Sequence, residues 1–199
     1  MNETDDPLLA ERLGRIRGKL DRLRAINFWR AFFRGQRYRE RPPLGRAGLA
    51  RLESAYAVTL PNELRTFLGR VHGGGPGPGY DGLSINIPAV PRVRTARPFP
   101  YVSGDAQDLL ARRQTQRYAM LPLLECEFGD DDDWPAGSGF IPLAHHGCGM
   151  FSVLVVTGEQ RGRVWFCDMG WVPEYSERGQ FGFLDWYEAW LNRVLPSKT

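Results

Sequence analysis

From Pro7 onward, apolar side chains return every three or four positions, with Leu9, Leu13, Ile16, Leu20 and Leu23 forming a 4,3,4,3 stripe. That spacing places them on one side of an α-helix. Asp6-Pro7 just ahead supplies a capping carboxylate and a proline suited to a first turn. The stripe continues, shifted, through Ile26, Trp29 and Phe33, so the pattern predicts one helix from about 7 to 34, ending near Gly35. Arg41-Pro42-Pro43 then reads as a short linker. A second helix is expected over Arg46 to Tyr56, with Leu49, Leu52 and Tyr56 on one side. A third enters at Pro61 and buries Leu64, Phe67, Leu68 and Val71. The run His72-Gly73-Gly74-Gly75-Pro76-Gly77-Pro78-Gly79 stops that helix, because glycine adopts positive φ freely and proline cannot rejoin it.

Beyond the glycines the period changes to two. Leu83, Ile85 and Ile87 alternate with Ser84 and Asn86, which predicts a half-buried strand. Residues 88 to 103, rich in Pro and Arg, read as an irregular excursion. Asp105 is a candidate cap for a helix running to about Tyr118, and Met120 to Leu124 reads as a strand interrupted by Pro122, hence an edge. Phe140 to Ala144 and Phe151 to Val156 are strand candidates. Gly158 to Gly162 turns the second of these into Arg163 to Cys167, a hairpin. Phe183, Tyr187, Trp190, Leu191 and Val194 predict a closing helix over Phe183 to Leu195. Helices, then strands, then a helix make an α+β fold the expected class.

Length and charge refine this picture. At 199 residues and 22.6 kDa the chain suits one domain, or one with a short appendage. The total charge of +3 divides unevenly: residues 1–51 carry 13 Lys/Arg against 6 Asp/Glu, net +7, which leaves 13 against 17, net −4, for the rest. We therefore expect a basic N-terminal helical extension and linker over 1–43 and an α+β domain over 44–199. Three cysteines, Cys126, Cys148 and Cys167, are too few and too odd in number for a disulfide framework. No apolar run approaches the roughly 20 residues of a membrane helix. The acidic start, Met1 to Asp6, does not resemble a secretory leader, so a cytoplasmic location is expected.

Four pieces of sequence carry a family resemblance. They are Leu52-Glu53 with Tyr56 ahead of Leu60-Pro61-x-x-Leu64-x-x-Phe67-Leu68; the Gly73-Gly74 stop; Phe140-Ile141-Pro142-Leu143-Ala144 with Gly147-Cys148-Gly149; and Gly162-x-Val164-Trp165 with the aromatic C-terminal helix. In order and spacing, over roughly residues 46 to 195, they resemble the SUKH superfamily, the bacterial immunity-protein group related to the fungal cell-wall-synthesis regulator. The resemblance implies a mainly antiparallel sheet flanked by helices, no catalytic residues, no cofactor, and action by binding. Many such relatives are encoded beside a toxin and neutralise it by docking, while others are scaffolds or regulators. Many also place an acidic residue after the Gly-x-Gly segment, where this chain has Met150 and Phe151, and the basic helix before residue 46 lies outside the shared core.

His145-His146-Gly147-Cys148 invites a metal or thiol hypothesis, but neighbours on a strand face opposite ways, and the cysteines lack ligand spacing. His146 and Cys148, at i and i+2, could share a strand face, and packing is the favoured reading of both. His72-Gly73-Gly74-Gly75 resembles the oxyanion loop of lipases, yet no Gly-x-Ser-x-Gly accompanies it, and no phosphate-binding Gly-Lys-Ser/Thr follows the glycines. Asp130, Asp131, Asp132 and Asp133 repel one another and belong in solvent. They read either as a solvated loop or, with Trp134, Glu125 and Glu127, as a partner site in which an aromatic anchor sits inside an acidic rim. The expected partner is a toxin protein with a cationic cleft, such as a nuclease or another enzyme acting on nucleic acid, with specificity from loops 72–81 and 128–139. Direct nucleic-acid binding is not expected. The alternative is a regulatory or scaffold adaptor that binds another protein through the basic N-terminal helix.

Overall fold

A computed structural model describes residues 6–25, 40–80, 82–88, 92–113, 115–116, 119–122, 126–127 and 136–196. The first stripe forms α1 (Pro7–Ala25), and its five apolar residues are all buried. Asp6 caps it by accepting the Leu8 N–H at 2.9 Å. Ile26, Trp29 and Phe33 lie outside the described residues. Next come α2 (Arg46–Tyr56), closed by Ala57 in the left-handed region, and α3 (Asn62–Arg70), each burying the stripe expected of it. A 3₁₀ turn spans Val93–Ala96. The following helix, α4, covers Ser103–Arg113 rather than reaching Tyr118: Thr115 and Gln116 both return their N–H groups to the Arg112 carbonyl and close the chain there. Asp105 stands in its first turn and accepts the Val102 N–H at 2.9 Å, half of a capping box.

Two short strands, β1 (Cys126–Glu127) and β2 (Ala136–Gly137), pair antiparallel. The main sheet is an antiparallel meander of β3 (Phe140–Gly147), β4 (Met150–Val155), β5 (Val164–Cys167) and β6 (Trp171–Pro173). A second short ladder joins β7 (Tyr175–Ser176) and β8 (Gly179–Gln180), and α5 (Phe183–Val194) ends the fold. The architecture is α+β, as expected.

The main sheet is buried on both faces. Ile141, Leu143, Leu154 and Val164 join α1, α2, α3 and α5 in one core. Phe140, Val153, Val155, Trp165 and Trp171 form another with Phe99, Tyr101, Leu109 and Leu121. This explains why Val153 to Val156 is an unbroken apolar run rather than an alternating one.

The expected strand over 83–87 shrinks to edge contacts, and side chains are the cause. Along β3, Tyr80 N–H donates to the His145 carbonyl at 2.7 Å and Ser84 N–H to that of Leu143 at 2.8 Å. The Ile85 and Asn86 carbonyls, however, are taken by Arg41 Nη2 and the Tyr56 hydroxyl, so no ladder runs over 83–87 and Ile87 is exposed. On the opposite edge Leu121 exchanges both backbone bonds with Trp171, and the adjoining Pro122 carbonyl is held by Tyr101; Leu123 and Leu124 lie outside the described residues. Both sheet edges are thereby covered.

The basic helix packs onto the acidic body. Arg12 bridges Glu63 of α3 at 2.8 Å and Asp185 of α5 at 2.6 Å, Lys19 reaches Glu188 at 2.6 Å, and Arg24 meets Glu40. The second Glu63 oxygen accepts the Leu184 N–H at 3.0 Å and so caps α5 from another helix.

The glycine loop differs most from expectation. Residues 72–78 are buried, so they do not form an exposed specificity loop. Arg41 exchanges backbone bonds with Gly73 and Gly74, and its guanidinium lies where a side chain on Gly74 (φ 134°) would have to go. His72 ties the loop to α5: its Nδ1 accepts the Gly74 N–H at 3.1 Å and its Nε2 meets the Tyr187 hydroxyl at 2.9 Å, which in turn donates to the Pro76 carbonyl at 2.5 Å.

Two predictions follow from these contacts. Burial first, then the charges of Arg24 and Arg41, push the His72 pKa down to about 4. Between about pH 6.5 and 4 the unfolded chain binds a proton that the native imidazole refuses, so stability falls as pH is lowered through that window. The full depression corresponds to about 3 kcal/mol, and His72→Leu should remove that pH-dependent part of the urea unfolding free energy between pH 7 and 4. Separately, Glu63→Ala should cost about 1–2 kcal/mol. Glu63→Gln, which keeps an acceptor for Leu184, should cost less in the same unfolding measurement.

Candidate functional site

Of the seven residues expected to form a partner site, only Glu127 has its backbone placed, in β1 opposite Ala136. Glu125, Asp130, Asp131, Asp132, Asp133 and Trp134 lie outside the described residues. The acidic run stands, in sequence, between two strands that pair with each other. The returning strand is firmly rooted: after β2 comes buried Ser138, then Gly139, whose carbonyl accepts N–H groups from Val156 at 2.7 Å and Thr157 at 3.2 Å.

The histidine pair resolves into two unrelated environments. A bulge falls between His145 and Gly147, and the rings nevertheless diverge. His145 stacks on Phe151 with centroids 4.7 Å apart. His146 Nε2 meets the Ser152 hydroxyl at 2.9 Å, and that hydroxyl donates to Glu174 Oε1 at 3.1 Å. Serine, histidine and glutamate are the composition of a hydrolase triad, but the order is wrong for one. The carboxylate holds the serine rather than orienting the imidazole, and Ser152 is fully buried. Burial raises the Glu174 pKa, opposed by the Ser152 bond, the Arg193 charge and the Trp186 indole. Burial, with His145 and Arg193, lowers that of His146. The chain therefore links β3, β4 and the segment after β6 to α5 as a structural tie.

Cys148 does not share a strand face with His146, because it sits in the β3–β4 turn at φ 48°, exposed, while Cys167 is buried in the second core. Among the described residues no group of three or more His, Cys, Asp or Glu side chains is placed to hold a metal ion. Among them, too, no helix is long and apolar enough to cross a membrane.

Two surface features were missed by sequence reasoning. An open cleft of about 530 Å³ lies between α1, α5 and the β7–β8 ladder, lined by Arg15, Arg178, Asp185, Glu188 and Asn192. Its sequence signal is the polar 185, 188, 192 spacing on α5, opposite the buried aromatic stripe. The other is the end of the main sheet that carries the β3–β4 and β5–β6 turns, where Tyr80 is 57% and Met169 81% exposed. Separately, from Tyr118 to Gln160 there is no Lys or Arg, against seven Asp/Glu.

A family model described as the SMI1 / KNR4 family (SUKH-1) matches residues 43–192. No curated protein and no solved structure matches. The matched span runs from the arm beside the glycine loop, through α2, α3 and the main sheet, into the last turn of α5, and leaves out α1. With most of its length and its sheet-and-helix core inside that match, the chain belongs to the SMI1 / KNR4 (SUKH-1) family.

Proposed function

We propose that this protein is a non-enzymatic, cytoplasmic immunity protein that binds a cognate bacterial toxin and neutralises it by covering its working surface. The observation carrying this reading is the family match over residues 43–192, since the superfamily resemblance implies action by docking. The charge layout supports a cationic target. The stretch 118–160 is wholly without Lys and Arg, and its acidic run, with Trp134, Glu125 and Glu127 beside it, is the proposed contact for a toxin that grips nucleic acid. We further propose that residues 44–199 form the binding domain, with 1–43 as an added helical segment.

The adaptor reading finds less support. Arg12, Arg15, Lys19 and Arg24 of α1 already meet acidic partners within the chain, and the apolar stripe is in the core. Deleting residues 1–40 would therefore open that core rather than simply remove a docking helix, so charge reversal at exposed Arg22 is the cleaner test of that idea.

Co-expression with the protein encoded beside it tests the main reading. Rescue of growth is the expected outcome, and a neighbour harmless on its own would remove its basis. Replacing Asp130, Asp131, Asp132 and Asp133 together with Asn should weaken binding of that toxin by at least about tenfold at low salt and flatten its salt dependence. Unchanged affinity and unchanged salt dependence would exclude the acidic run as the contact.

A further inference from the structure

We propose that His146, Ser152 and Glu174 form a proton relay, in which uptake of one proton from solvent at His146 reverses both hydrogen bonds of the chain and leaves a proton on the buried carboxyl. The device is a pH-sensitive contact built into the fold, and it operates without any partner.

The direction of each bond at neutral pH follows from the groups themselves. An ionised carboxylate only accepts, so Ser152 gives its one hydroxyl hydrogen to Glu174 Oε1 at 3.1 Å. Only lone pairs of the hydroxyl are then left to face His146 Nε2 at 2.9 Å, and that nitrogen must carry a hydrogen. His146 is therefore the Nε2–H tautomer with a bare Nδ1. Ser152 is fully buried and His146 half-buried, and nothing among the described residues bonds the His146 Nδ1. The imidazole is the member of the chain that solvent reaches.

A proton arriving at Nδ1 has two places to rest. It can remain there as an imidazolium, or the Nε2 hydrogen can pass to Ser152 Oγ while the serine hydrogen passes to Glu174 Oε1. In the second case an N–H bond forms at Nδ1, one breaks at Nε2, an O–H bond forms on Glu174, and Ser152 exchanges one hydrogen for another. The neutral acid then donates to Ser152, and Ser152 donates to Nε2 of a neutral Nδ1–H ring. Both hydrogen bonds survive with their directions reversed.

The surroundings select this second outcome. Burial raises the Glu174 pKa from its ordinary value despite Ser152, Arg193 and Trp186, which all favour the ionised form. Burial, then His145 and Arg193, lowers that of His146. Neutralising a buried carboxylate without charging a buried ring is the lower-energy arrangement. The groups facing the pair from other elements are Arg193 and Trp186 of α5 and, from β5, only the uncharged Phe166 ring, 5.7 Å from that of His146. Arg163 bears on Tyr175, the next residue, instead.

Glu174 stands at a junction. Its N–H donates to the Val164 carbonyl at 3.0 Å and its carbonyl accepts the Phe181 N–H at 2.8 Å, so the carboxyl lies where the main sheet, the β7–β8 ladder and α5 meet. The outward sign of proton uptake is one atom beside the β3–β4 turn: His146 Nδ1 is an acceptor before it and a donor after it. A group that donates to Nδ1 is bound at neutral pH and released in acid.

In the full chain labelled with ¹⁵N and ¹³C, long-range ¹H–¹⁵N spectra read the His146 tautomer and the side-chain carboxyl carbon reads Glu174, from about pH 7.5 to about pH 4. The expected result is Nε2–H at neutral pH, then a change to Nδ1–H at the same midpoint as Glu174, above the ordinary carboxylate value. Glu174→Gln, whose amide takes up no proton, should hold His146 in one tautomer through that midpoint, and Ser152→Ala should leave the two residues titrating separately. An imidazolium signal from His146 at the Glu174 midpoint, or a Glu174 midpoint with no change of tautomer, would overturn the relay and leave the chain a static tie. So would a tautomer change that persists in Glu174→Gln or a shared midpoint that persists in Ser152→Ala. The wild-type spectra and Glu174→Gln decide the question should Ser152→Ala not fold.

Discussion

His72 accepts one hydrogen bond and donates another at a fully buried position, and the placement of the C-terminal helix against the glycine loop hangs on that pair. The loop it serves is unusual in being buried while almost free of side chains, so its backbone groups must be satisfied from outside. Arg41 meets Gly73 and Gly74, Leu83 meets Gly75, and the Tyr187 hydroxyl meets the Pro76 carbonyl. Pro76 and Pro78 have no N–H to satisfy, which removes two donors from the problem. The remaining Gly74 N–H falls to His72 Nδ1, and this fixes the tautomer: the proton sits on Nε2 and points at Tyr187. Tyr187 then has its one hydrogen free for Pro76. Each bond determines the direction of the next, and all of them require a neutral imidazole.

The same helix is held at its other end by charge. Glu63 binds Arg12 with one oxygen and the start of α5 with the other, so α1, α3 and α5 meet at a single carboxylate. Exposed pairs of this kind contribute on the order of 1 kcal/mol or less each, far below the burial of Leu9, Leu13, Ile16, Leu20 and Leu23. Apolar area attaches α1, and the ion pairs set its register and orientation. The basic head and acidic body are therefore complementary halves of one surface junction, and the small overall charge is the residue of that pairing.

Much of this was legible in the sequence because periodicity reports burial directly. The α2 and α3 stripes and the buried part of α1 could be named from spacing alone, as could the β4–β5 hairpin and the aromatic face of α5. What was not legible depended on long-range partners. Leu83 to Ile87 alternate like a strand, but Arg41 and Tyr56, some thirty to forty-five residues away, claim the carbonyls that a ladder would need. The glycine run reads as a helix stop, and nothing in its own composition says that His72 and Tyr187 will draw it inside. His145 and His146 looked like a pair because they are adjacent, although Ser152 and Phe151 separate them. The β6 strand and the β7–β8 ladder are three and two residues long, below the length at which a period can be recognised.

A sheet buried on both faces, with both edges covered, has few ways to offer a surface to another protein. Its strand faces are in the cores, and its edge groups are engaged by Tyr80, Ser84 and Leu121. Among the described residues, the two ends of the meander are its most open parts. One end leads into the β1–β2 ladder that brackets the acidic run, and the other carries Tyr80 and Met169. Substitution in either place disturbs little packing, whereas a change inside the strands meets a core on one side or the other. The Lys- and Arg-free stretch from Tyr118 to Gln160 runs through both ends, from the acidic run at one to the β3–β4 turn at the other.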